Sequence, residues 1–263
     1  MSILFSGDFH ANASNELSHI TKNNLVKKYK KERFNDIRYH VILGDGAFLW
    51  PNNYKTDRFN YKVLAFRPFP VLCVLGNHEP IYGMSNIPEV DIGLGETVYQ
   101  IQAVPFVAYL KRGKVYTIDG IKFLVLGGAL SVDKSYRTQG ITWWEKEYWS
   151  QEEKNDLFKL LESENTFDFV LSHTGPDHIN MKLFEYRLSS FSGEMNDAVA
   201  FMNDDIHEKI KFKEWWCGHF HQNLYYYDSE SNRGYQYLYK FTKILEKIDN
   251  KIVIYNEYGM MKR

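Results

Sequence analysis

Five times in this 263-residue chain a short apolar run stops at a small residue, and a ligand-type side chain follows within two residues. Ile3-Leu4-Phe5 leads into Gly7-Asp8-Phe9-His10, Val41-Ile42-Leu43 into Gly44-Asp45, and Val71 to Leu75 into Gly76-Asn77-His78-Glu79. Phe169-Val170-Leu171 leads into Ser172-His173, and Trp215-Trp216-Cys217 into Gly218-His219-Phe220-His221. Unbroken apolar runs of this length mark strands buried on both faces. Ligands of open α/β sheets sit just beyond the carboxyl ends of such strands. Five loops distant in sequence are therefore expected to meet in one crevice. A single histidine after a strand is ordinarily a hydrogen-bonded loop residue, and Gly-Asp is a common turn former. The set of five is what makes a site.

The remaining punctuation fits an alternating chain. Strands are expected at Ile3–Ser6, Tyr39–Leu43, Pro70–Leu75, Phe169–Ser172 and Glu214–Cys217, with helices over about Ser14–Glu32, Asp57–Phe66 and Asn196–Lys209. Asp119-Gly120 between Lys114–Ile118 and Ile121–Leu126 is a strong hairpin signal. Ser150-Gln151-Glu152-Glu153 has the form of a capping box and opens a helix to about Glu164. The tail reads as antiparallel hairpins: Leu224–Tyr227 with Tyr235–Phe241, then Ile244–Ile248 with Lys251–Tyr255. No linker-like stretch divides the chain, so a single domain over residues 1–263 is expected.

Composition narrows the function classes. A net charge of −1 gives no global field toward nucleic acid or anionic lipid. Two cysteines, Cys73 and Cys217, lie in apolar runs and do not make a disulfide framework, which suggests a reducing compartment. No stretch approaches the ~18 apolar residues of a membrane span. The expectation is a soluble, cytoplasmic protein without membrane partners. Trp143, Trp144 and Trp149, and the tyrosines of the Tyr225–Tyr239 hairpin, read as core and cross-strand packing. His19, His40, His178 and His207 have no ligand context.

The five blocks resemble the calcineurin-like metallophosphoesterase family, whose motifs run Asp-x-His, Gly-Asp, Gly-Asn-His-Asp/Glu, a lone His and Gly-His-x-His. Residues 7 to 221 follow that order. The resemblance implies an α/β fold, a four-layer α/β/β/α sandwich of two mixed β-sheets flanked by helices. It also implies two divalent metal ions. Asp8, His10, Asp45 and His221 would hold one, while Asp45 would bridge to a second completed by Asn77, His173 and His219. His78 would stand beside the ions and serve as a catalytic residue.

This donor set suits phosphoester hydrolysis. Two cations offset the charge on the phosphate and yield a hydroxide nucleophile near neutral pH. With +4 from the ions and −2 from Asp8 and Asp45, the centre stays cationic enough to attract a phosphate dianion. Nitrogen and oxygen donors without thiolate suit Mn, Fe, Zn, Co or Ni. His78 would protonate the leaving alkoxide or fix the phosphate.

The second block here continues Gly44-Asp45-Gly46-Ala47-Phe48, without the arginine of the protein-phosphatase branch. Arg137, in the glycine-bounded stretch Asp133-Lys134-Ser135-Tyr136-Arg137, is the candidate phosphate clamp in its place. The function expected is therefore a phosphatase acting on phosphomonoesters, whether small molecules or phosphoproteins. A phosphodiesterase or nuclease, with nucleic acid only as substrate, is the alternative. A non-catalytic scaffold of the same fold is the rival from another class.

Overall fold

The computed structural model describes residues 1–10, 20–29, 37–48, 62–100, 104–188 and 197–257. Along the chain come β1 (Ser2–Ser6), α1 (Lys22–Tyr29), β2 (Ile37–Ile42), β3 (Val71–Cys73), β4 (Glu89–Asp91), β5 (Thr97–Tyr99), β6 (Val107–Leu110), β7 (Lys114–Ile118) and β8 (Ile121–Val125). There follow α2 (Gln151–Ser163), β9 (Phe169–Leu171), α3 (Asp177–Leu188), α4 (Ala198–His207), β10 (Glu214–Cys217), β11 (Leu224–Asp228), β12 (Arg233–Tyr237), β13 (Lys243–Ile248) and β14 (Lys251–Asn256).

They form two mixed sheets. One has the order β14-β13-β1-β2-β3-β6-β5-β4 and the other β11-β12-β10-β9-β8-β7. At the heart of the first, β1, β2, β3 and β6 run parallel. At the heart of the second, β8, β9, β10 and β12 do.

Side chains of a strand alternate between its two faces, so a strand buried on both sides feeds two cores. Ile3, Phe5, Val41 and Leu72 enter the middle core, where they meet Phe123, Phe169, Leu171 and Trp216 of the other sheet. Phe5 and Trp216 pack edge to face at 4.8 Å. The alternate residues Leu4, Ile42 and Cys73 turn outward to a core shared with Leu25 of α1. On the far side, Leu124, Val170 and Trp215 share a core with Leu157 and Leu161 of α2 and Ile206 of α4. Three cores between helix, sheet, sheet and helix give the four layers expected.

The local signals hold at the caps and turns. Ser150 and Glu153 make the reciprocal capping box of α2. Asp119-Gly120 turns the β7–β8 hairpin with both residues in the left-handed region. Trp143, Trp144 and Trp149 are buried. Among the described residues no helix is long and apolar enough to cross a membrane.

Several elements differ from expectation. The long helix over 14–32 does not run unbroken, because Ile20 and Thr21 are not helical. Thr21 Oγ1 instead accepts from the Asn24 N–H at 3.2 Å at the start of α1. Residues 11–19 and 30–36 lie outside the description, as do 57–61 of the expected Asp57–Phe66 helix. The strand expected to reach Phe241 ends at Tyr237. The two tail hairpins belong to different sheets. β12 pairs in parallel with β10, whereas β13 flanks β1 antiparallel. Strands β4, β5 and β6 and helix α3 had no counterpart in the sequence reading.

Candidate metal centre

The loops leaving β1, β2, β3, β9 and β10 do meet. Backbone hydrogen bonds join them before any side chain is considered. The N–H groups of Phe9 and His10 donate to the Asp45 carbonyl at 3.1 and 2.8 Å, and Gly218 N–H donates to the His173 carbonyl at 3.0 Å. Turns this tight put His10, Asp45, His219 and His221 at φ of 47°, 52°, 66° and 51°. That region costs a side-chain-bearing residue on the order of 1 kcal/mol and concentrates at functional sites.

Two of the glycines are required by close approach. A Cβ on Gly76 would lie 2.1 Å from Asp45 Oδ1, and one on Gly44, itself at φ +89°, would lie 2.2 Å from His173 Nδ1.

Asp8, Asp45, Asn77 and His173 form the buried floor. His173 Nε2 stands 3.2 Å from Asp45 Oδ2 and 3.0 Å from Asn77 Oδ1, and its Nδ1 donates to the Leu43 carbonyl at 2.8 Å. The backbone N–H of His78 donates to Asp45 Oδ1 at 2.8 Å, and that of His219 to Asp8 Oδ1 at 3.1 Å. His10 and His221 form the half-exposed rim, with their Nε2 atoms 2.9 Å apart. His10 Nδ1 is 3.8 Å from Asp45 Oδ2, and His221 Nε2 is 3.8 Å from Asp8 Oδ2. The His219 ring packs against His173 at 5.0 Å.

Charge is crowded here. Burial alone would lower the His173 imidazole, but the facing Asp45 carboxylate, with Asp8, outweighs it and pushes the ring up to about 10. Burial would raise Asp45, but His173 overrides it and holds the carboxyl well below its usual range. Burial, with Asp45 adding, lifts Asp8 to about 7 against the pull of His173. Burial also lowers His10, His78, His219 and His221, which favours the neutral form that ligates metal.

The residues fit divalent cations. Asp8, Asp45 and His173 offer ligand atoms all within 4.8 Å of one another. Asp8 Oδ2 is buried without a hydrogen-bond partner, a costly orphan unless something positive takes it. The Nδ1–H of His173 on the Leu43 carbonyl fixes that ring so that Nε2 faces the Asp45 carboxylate, the usual arrangement of a ligating histidine.

His78 and Arg137 lie together beside this cluster. Arg137 Nη2 is 3.4 Å from His78 Nε2, while the guanidinium also pairs with Asp133 at 2.6 Å and donates to the Thr142 carbonyl at 3.0 Å. The arginine thus makes the surface-type ion pair and still reaches the site.

Three buried residues at the site escaped the sequence reading. Glu79 accepts from the N–H groups of Gly46 and Ala47 at 2.9 and 3.2 Å, which holds the loop bearing Asp45. Burial, with Asp45 adding, pushes it up to about 8. Its place in the Gly-Asn-His-Glu block was its only signal. Ser131 meets Asn77 from 54 residues further on and is itself held by Glu147, 70 residues beyond Asn77, and no local pattern marks either.

The profile of the calcineurin-like phosphoesterase family matches residues 1–223. No curated protein sequence matches the chain. Among solved structures, the phosphopantetheinyl hydrolase of Mycobacterium tuberculosis superposes with a TM-score of 0.52 at 13% identity, over 90% of this chain and 89% of that one. That likeness is one of fold. A Staphylococcus aureus protein described as a 5'-nucleotidase gives a TM-score of 0.48 at 11% identity, over 97% of this chain. The chain spans about half (53%) of that protein's length.

Proposed function

The chain belongs to the calcineurin-like phosphoesterase family, and from that premise we propose that it hydrolyses phosphate monoesters at a centre of two divalent transition-metal ions. One observation carries the reading: Asp8, Asp45 and His173, from three strand ends of two sheets, bring their ligand atoms within 4.8 Å of one another. Asp8, His10, Asp45 and His221 would hold one ion, and Asn77, His173 and His219 would hold the other, with Asp45 shared between them. Bound there, the ions offset the negative charge of the ester and make water nucleophilic near neutral pH.

The protein's own groups do the rest. His78 Nε2 faces two donors, Asn77 Nδ2 at 3.0 Å and Arg137 Nη2 at 3.4 Å. An incoming phosphate oxygen takes over the guanidinium. His78 Nε2 still accepts from the Asn77 amide, and its Nδ1–H, without a hydrogen-bond partner among the described residues, is the proton it can offer to the leaving alkoxide. Arg137, tethered by Asp133 and the Thr142 carbonyl, binds that oxygen in a fixed orientation. A dianionic monoester gains most from this arrangement, since the protein as a whole has no field to recruit a polyanion.

The test is turnover of p-nitrophenyl phosphate against bis-p-nitrophenyl phosphate by manganese-loaded protein. The monoester is expected to be preferred at least about tenfold in kcat/KM, or roughly 1.4 kcal/mol. A diester preference would replace the reading with a phosphodiesterase or nuclease. Full metal loading without turnover of either ester would leave a scaffold.

A further inference from the structure

We propose that Ser131 and Glu147 are a positioning pair that fixes the amide of Asn77 with its oxygen toward the metal centre. The inference rests on the reading of Asn77 as a metal ligand. Only the oxygen of that amide can ligate, and oxygen and nitrogen are nearly the same size, so shape alone does not choose between the two orientations. Something must distinguish them electrically.

Glu147 is fully buried in the 3-10 turn Glu145–Glu147 that follows Trp143-Trp144. The Ser131 hydroxyl donates to Glu147 Oε2 at 2.7 Å. With its one proton committed to the carboxylate, Ser131 Oγ presents only lone pairs to its other neighbour. That neighbour is Asn77 Nδ2, which donates to Oγ at 3.0 Å. The second hydrogen of the amide points to His78 Nε2 at 3.0 Å. Both donors are thus spent on the far side, and Oδ1 is left facing His173 Nε2 at 3.0 Å. Turning the amide over would set its oxygen against the Ser131 lone pairs and its N–H groups against the centre. All three residues are buried, so water does not relieve either clash.

Metal-stripped protein is titrated with Mn2+ and free ion is followed by electron paramagnetic resonance, for wild type, Asn77→Ala, Ser131→Ala, Ser131→Thr and Glu147→Gln. Ser131→Ala is expected to weaken the second equivalent about 10- to 100-fold, the usual cost of losing an outer hydrogen bond to a ligand. Ser131→Thr, which keeps the hydroxyl, is expected to stay within about threefold of wild type by the same reasoning. Glu147→Gln, whose amide can release the serine proton, is expected to weaken binding as well. It carries the test should Ser131→Ala fail to fold. Asn77→Ala weakening Mn2+ while both Ser131→Ala and Glu147→Gln bind like wild type would overturn the positioning pair alone. Asn77→Ala binding like wild type would overturn the ligand role and, with it, this inference. Ser131→Thr as weak as Ser131→Ala, at an unchanged metal-free melting temperature, would show that the hydroxyl is not the acting group.

Discussion

His173 and His207 are both buried histidines against the second sheet, and their surroundings drive them in opposite directions. His173 follows β9 at the carboxyl edge, where Asp45 and Asp8 face it and push its pKa up to about 10. His207 ends α4 on the helical face. There the Tyr235 hydroxyl lies 2.6 Å and Arg233 Nη1 2.8 Å from its Nε2, and burial, with Arg233 adding, brings it down to about 4. One histidine sits where the fold has gathered negative charge and left a carboxylate oxygen unpartnered. The other sits beside a cation and is kept neutral. The first environment calls for a positive ion, and the second already holds one in Arg233. Residue type alone does not assign a role; the charges facing the ring do.

The contrast is broken most severely by removing the charge the centre depends on. Asp45→Asn is expected to lower kcat/KM at least about a thousandfold, since several kcal/mol of charge stabilisation leave with a shared ligand. Steady-state turnover of p-nitrophenyl phosphate with parallel metal analysis checks this, and bound metal should fall too. His78→Gln is expected to cost about a hundredfold in kcat, the lower range for a lost proton donor. Its metal content should stay near wild type; loss of metal would make His78 part of the cage instead.

The smallest effect belongs to the other histidine. With a folded value near 4 and an ordinary value of 6.5, His207 stays neutral in the folded protein while the unfolded chain takes up a proton. Its contribution is complete above about pH 6.5 and is lost as pH falls toward 4. His207→Gln is expected to be less stable at pH 7, with the gap to wild type closing by roughly 1–2 kcal/mol at pH 5. Chemical denaturation at the two pH values measures that gap. A constant gap would mean the imidazole takes up its proton as readily in the folded protein as in the unfolded chain.

What could be read in advance follows the same division. Strands that feed two cores declare themselves as unbroken apolar runs, so β1, β2, β3, β9 and β10 and the ligand-type residues after them were legible. Strand β4, Glu89–Asp91, is short, polar and at the sheet edge, and nothing in three such residues sets it apart from a loop. Helix α3 carries Ile179, Met181 and Leu183 at alternate positions, a strand-like spacing inside a helix. Ser131 and Glu147 act on Asn77 only through tertiary hydrogen bonds. Arg137 was visible as a candidate, but its approach to His78 depends on how its loop returns to the site.

The most direct measurement of the central claim is the number of Mn2+ ions bound at saturation by metal-stripped wild-type protein. Two per chain, falling to one or fewer in Asp45→Asn, is the result predicted. One or none in the wild type, or two retained without the Asp45 carboxylate, would contradict a centre built around a shared aspartate.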